Sequence, residues 1–156
     1  VYLRFGRPSV PVFTPENQTF EIGKAVKLQE GSDVTIIATG HLVWEALEAS
    51  KILFEKGISA EVLNIHTIKP LDDEAIIKSI SKTRCVVTAE EHNYLGGLGE
   101  SVARVLVKNN PVPQEFVATN DTFGESGTPK QLMEKYGINF QSIVDSSIKV
   151  IKRKNN

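Results

Sequence analysis

Apolar positions along the chain fall into short β-branched runs that alternate with stretches at helical spacing. DVTIIATG (33–40) is a continuous apolar run of the kind shown by a strand buried on both faces. Beyond Leu42, residues Val43, Ala46, Leu47, Ser50 and Phe54 recur at the period of a helix, and Gly57 supplies its stop. SAEVLNIHT (59–67) reads as the second strand. DDEAIIKSISK (72–82) then predicts a helix with acidic residues in its first turn, where the helix dipole favours them. RCVVTAEEH (84–92) is the third strand, 97–110 the third helix and PQEFVATND (113–121) the fourth strand. Two helices close the chain, over 129–136 and 138–154, with Pro129 at a helix start that tolerates proline. This alternation through short connections predicts an open, mostly parallel α/β sheet with helices on both faces.

The pattern before residue 33 is different. Residues 1–7 alternate apolar and polar positions like a strand, and Pro8 and Pro11 break the alternation. Residues 8–32 hold short extended pieces, Pro15 and turn residues, and are read as a connecting strap that ends at Glu30-Gly31-Ser32-Asp33. The chain opens in mid-pattern and its one methionine is Met133, so it is expected to be the downstream part of a longer polypeptide.

Composition narrows the function. The 156 residues suffice for one domain with a real core. A formal charge of −1, from 18 basic and 19 acidic residues, gives no basic field for nucleic acid or an anionic membrane. The one basic run, 149–154, ends the last helix, complements its dipole and is read as a solvated tail. Cys85 stands alone before Val86 and Val87, which suggests a buried strand thiol rather than a nucleophile. No apolar run approaches the roughly 20 residues that span a bilayer. No charged-then-apolar leader opens the sequence, and a reducing, cytoplasmic setting is expected.

Candidate chemistry gathers where ligands bind in open α/β sheets, at the carboxyl ends of the strands. His41, His66 and His92 lie near such ends, with Glu90 and Glu91 beside the last. These residue types suit a metal or an acid–base pair, but HExxH and paired CxxC are absent. The histidines are therefore read as hydrogen-bonded or facing a partner domain. In EEHNYLGGLGES (90–101), glycines open a helix whose amides could hold an anion, which makes Gly97 and Gly99 a candidate anion-binding turn. A Walker ending and a GxGxxG fingerprint are both missing, and a tight turn with close helix–sheet packing is the preferred reading. TNDTFGESGTP (119–129) carries Asp121 and Glu125 without a nucleophile and base beside them, so turn and capping roles are expected. No catalytic residue and no metal ligand is assigned.

Four stretches together, GSDVTIIATGHLVWEAL (31–47), ISAEVLNIHTIKPLD (58–72), VVTAEEHNYLGGLGESVA (86–103) and NDTFGESGTPKQLMEKYG (120–137), resemble the C-terminal domain of transketolases. The likeness covers essentially the whole chain and is nearest to the C-terminal portion of the split or short transketolases of prokaryotes. TIKPLD and the Gly-Gly-x-Gly turn are also similar to those of deoxyxylulose-phosphate synthases and of 2-oxo acid dehydrogenase β subunits. Glu91-His92-Asn93 and FGESGTP (123–129) favour transketolase.

The resemblance implies a three-layer α/β/α domain around a mixed sheet of about five strands, one of them antiparallel. It also implies that residues 33–156 are the transketolase C-terminal domain. Residues 1–32 would be the end of the preceding pyrimidine-binding domain plus the strap. Thiamine diphosphate and Mg would lie between upstream domains of opposite subunits, in a homodimer of the complete enzyme, with none expected on this chain alone. The chain would support the dimer and the mouth of the site, and would be inactive by itself. VYLRFGRPS resembles the strand where transketolases place an arginine on the sugar phosphate, and Arg7 matches it best, with Arg4 the alternative. A guanidinium offers phosphate a permanent, bidentate charge. A strap arginine paired with a nearby carboxylate stays open for Arg7. Open as rivals are an anion- or nucleotide-binding regulatory module built on Gly97, and the C-terminal part of a 2-oxo acid dehydrogenase β subunit or a deoxyxylulose-phosphate synthase.

Overall fold

A computed structural model describes residues 1–3 and 9–155. Among them, strands β1 (Val26–Gln29), β2 (Val34–Ala38), β3 (Ala60–Asn64), β4 (Val86–Asn93) and β5 (Gln114–Thr119) form one sheet in the order β1-β3-β2-β4-β5. β2 pairs in parallel with β3 and β4, and β4 in parallel with β5, while β1 runs antiparallel on the β3 edge. The continuous apolar runs seen in the sequence are the inner strands, buried at every residue in β2 and β3.

Helices α1 (Leu42–Glu55), α2 (Asp73–Thr83), α3 (Leu98–Asn109), α4 (Pro129–Tyr136) and α5 (Phe140–Lys154) complete the chain. Successive strand residues point to opposite faces, so the sheet feeds two cores. Ile36 lies between Val62 and Val87 in the register, and this row packs with Leu53 of α1 and Val144 of α5. Its neighbour Ile37 joins Leu63 in the other core, with Ile80 of α2 and Val102 of α3. On that second face the buried hydroxyl of Thr35 lies 2.6 Å from both Ser79 Oγ and Thr83 Oγ1, so no polar atom of the trio is wasted. The three-layer architecture and the mixed sheet agree with what the resemblance implied.

Two readings of the chain ends change. The stretch 8–32 is more than a strap, because it contains β1, the antiparallel strand. Its attachment is polar as well as sheet-like. Gln29 accepts from Ser50 Oγ at 2.8 Å and donates to Ala60 O at 3.3 Å. Asp72, the N-cap of α2, also accepts from Ala25 N at 2.9 Å. The basic run of α5 is likewise no free tail. Lys149 and Arg153 reach Glu115 on the edge strand at 2.8 and 2.6 Å, and Lys154 donates to Asp33 O at 2.8 Å. Burial pushes the Glu115 carboxyl up, but these two cations bring it below its ordinary value. Cys85 is fully buried, as expected, and burial raises its thiol to about 11, with Lys154 opposing.

Candidate functional site

Because β2 to β5 are mutually parallel, their carboxyl ends open onto one edge. β4 runs eight residues against five in β2, so Glu90-Glu91-His92-Asn93 extends beyond the end of β2, with Asn93 still paired to Thr119 of β5. Glu90 points inward and is 2% exposed, whereas Glu91 and His92 face out.

Glu90 spends both oxygens on the start of α3. Oε2 accepts from Leu98 N at 2.7 Å and Oε1 from Gly99 N at 2.8 Å. These amides are among the unpaired donors that every helix N-terminus carries, and the dipole there favours a negative charge. The turn proposed for an external anion therefore holds an internal one. Both glycines are required by close packing, each against a different neighbour. A Cβ at Gly97 would lie 2.2 Å from Glu90 Oε2, and one at Gly99 would lie 2.3 Å from Phe116 Cδ1. Gly96 N is also engaged, donating to Glu100 Oε2 at 2.9 Å.

Two of the histidines, His41 and His92, border one groove, and His66 is not among its lining residues. His41 Nδ1 lies 3.1 Å from Glu91 Oε2. His92 Nδ1 lies 2.7 Å from Asn93 O, which makes that nitrogen the donor. His66 Nδ1 meets Thr67 Oγ1 at 2.9 Å, and its ring packs against Phe20 with centroids 4.4 Å apart. Among the described residues, no three His, Cys, Asp or Glu side chains gather as a metal-binding group. With the amides of Leu98 and Gly99 taken by Glu90, the start of α3 does not fit the pyrophosphate of thiamine diphosphate.

The loop after β5 is tied down by side-chain contacts to β4 and α4 and by one helix cap. Asn93 Nδ2 donates to Asp121 Oδ1 at 2.7 Å, and Lys135 pairs with Glu125 at 2.6 Å. Thr128 caps α4 and forms a capping box with Gln131. Asp121 and Glu125 are thus partnered separately. Beside this loop lies a groove of about 1000 Å³, with Trp44, Met133, Tyr136 and Phe140 in its apolar lining and His41, Glu91 and His92 in its polar lining. Ser9, Val10 and Pro11 line it as well. Arg7 and Arg4 lie outside the described residues. Sequence reasoning missed the role of Glu90. The signal was present, since neighbouring strand residues face opposite ways and one of Glu90 and Glu91 had to turn inward.

The model of the family described as transketolase, C-terminal domain, matches residues 23–143. Over 155 residues the chain is 48% identical to a 6-deoxy-6-sulfo-D-fructose transketolase subunit of Clostridium sp. (strain MSTE9), covering 99% of this chain and 48% of the relative. It is 43% identical over 156 residues to a putative transketolase C-terminal section of Methanocaldococcus jannaschii, with coverages of 98% and 48%. A solved split-gene transketolase, described as an inactive beta4 tetramer, superposes with a TM-score of 0.92 at 44% identity, over 95% of this chain and 48% of its own. The chain spans about half the length of the relatives it matches.

Proposed function

The chain belongs to the transketolase C-terminal domain family, and on that premise we propose that it is the C-terminal part of a thiamine-diphosphate-dependent transketolase. The complete enzyme moves a two-carbon ketol unit between sugar phosphates. One observation carries this reading: the likeness runs through nearly the whole chain, yet the chain fills only about half of each relative. That is the relation of a part to a larger enzyme.

The ligand edge supports a structural share of the work. Glu90 holds α3, Glu91 faces His41, Asp121 holds Asn93 and Glu125 holds Lys135. Each carboxylate is matched within the chain, and none stands beside a nucleophile to activate. The domain shapes the edge and presents it to its neighbours. Thiamine diphosphate and Mg are held by the upstream domains, where the cofactor supplies the carbanion chemistry of carbon–carbon bond exchange. Residues 1–32 hold the end of the preceding pyrimidine-binding domain plus the connecting strap, whose β1 already belongs to this domain's sheet. The complete enzyme is a homodimer. Among the described residues no helix is long and apolar enough to cross a membrane, and we place the enzyme in the cytoplasm. The bonds from Leu98 N and Gly99 N to Glu90 favour this reading over the regulatory rival.

A ketol-transfer assay on the upstream portion with thiamine diphosphate and magnesium, run with and without this chain, tests the proposal. Activity is expected to appear or rise strongly on addition. An upstream portion that is fully active alone would sink it. Within the reconstituted enzyme Arg7 contacts the sugar phosphate, so Arg7→Ala should raise KM roughly tenfold and change kcat less. An unchanged KM would return Arg7 to a strap role.

A further inference from the structure

Phe123 is 97% exposed, although the backbone around it is firmly held. Tyr136 Oη donates to Phe123 O at 3.1 Å. Two residues before it, Asp121 is bonded to Asn93, and two residues after it, Glu125 is paired with Lys135. The ring is thus displayed on a fixed support, at a cost that burial would remove. A pre-ordered aromatic loses little freedom on binding, and such residues dominate interface energies.

A second observation points the same way. Val12, next to the strap residues that line the groove, is 91% exposed. Ser9, Val10 and Pro11 run along the groove whose other walls include Thr119 and Gly127, residues from either end of the Phe123 loop. Strap and loop therefore border one face at the carboxyl edge of the sheet.

We propose that this face docks the upstream cofactor-binding portion of the enzyme, with Phe123 as its anchor; the inference rests on the functional reading above. The occupant follows from continuity and size. The relatives carry about as much chain again beyond the matched part. The strap along the groove is where the preceding polypeptide would join, so that polypeptide is held beside the face at high effective concentration. A second copy of this chain has no such continuity. Other exposed apolar residues lack this setting. Phe54 and Val107 sit in the last turns of α1 and α3, at the opposite edge of the sheet.

Titration calorimetry between the 156-residue chain and the separately produced upstream portion tests the anchor. Phe123→Asp is expected to weaken binding at least about thirtyfold, whereas Phe54→Asp and Val107→Asp should stay within about threefold. Since the Phe123 ring touches solvent, thermal melts of Phe123→Asp should match the unaltered chain. Wild-type binding by Phe123→Asp would overturn the anchor and leave the functional reading standing. No binding by the unaltered chain would overturn both. Loss of self-association, seen by sedimentation with upstream binding intact, would assign the face to a second copy and overturn the proposal.

Discussion

Glu90→Ala is expected to destabilise the chain by about 2–3 kcal/mol, lowering Tm by roughly 5–10 °C. The carboxylate accepts two short bonds from Leu98 N and Gly99 N inside a site that is 2% exposed. Hydrogen bonds to a charged group contribute about 1.5–3 kcal/mol each, and alanine would leave both amides without an acceptor. One effect works against this loss. Burying a carboxylate is itself costly, and the substitution removes that cost, which is why the expected loss is smaller than two full bonds. Glu90→Gln keeps the shape but offers one oxygen and turns an amide donor toward the second N–H, so it should fall between alanine and the unaltered chain. Urea unfolding gives the stabilities, and hydrogen exchange at Leu98 and Gly99 reports the site. A loss below about 1 kcal/mol, with both amides still protected, would show that the cap is not what holds α3.

The same residue marks where the sequence was legible and where it was not. The inner strands announced themselves, because burial on both faces demands runs such as VTIIA and AEVLN. The helices were legible from periodicity and from their ends, as with the acidic first turn of α2 and Pro129 at the start of α4. β1 was not. Its four residues lie on an edge, are only partly buried and pair with a strand more than thirty positions away, so local pattern had little to report. Glu90 and Glu91 are chemically identical neighbours, and what separates them is the inward or outward phase of the strand. The amides that Glu90 serves lie eight and nine residues further on, within the same stretch 90–101, but strand phase and helix start had to be read together to pair them. The display of Phe123 likewise depends on Asn93 and Tyr136, which are remote in sequence.

Gly31→Ala is expected to be the more damaging change, at above about 3 kcal/mol, a large share of a domain's usual 5–15 kcal/mol. Sequence reading took Gly31 for a turn residue at the end of the strap. The structure gives it another task, which is to let the β1–β2 connection cross the start of β3 in close contact. A Cβ there would lie 2.1 Å from both Ala60 C and Glu61 N. These are backbone atoms of a central strand and cannot swing aside as a side chain would. They are also held in place from both sides. Asp33 N donates to Ser59 O at 2.8 Å, and Ser59 N donates back to Asp33 Oδ2 at 2.7 Å. Room for one methyl group must therefore come from parting these strands, which strains the β1–β3 pairing and the ion pair of buried Glu61 with exposed Lys82 beside it. Gly124→Ala is the matched control, since a Cβ there meets nothing within 4 Å, and it should stay within about 0.5 kcal/mol. Comparison of the two in urea separates loss of glycine from loss of close approach. Equal midpoints would mean that the crossing has slack. A large gap would show that this glycine fixes how the strap, and with it the face it shares with Phe123, is mounted on the sheet.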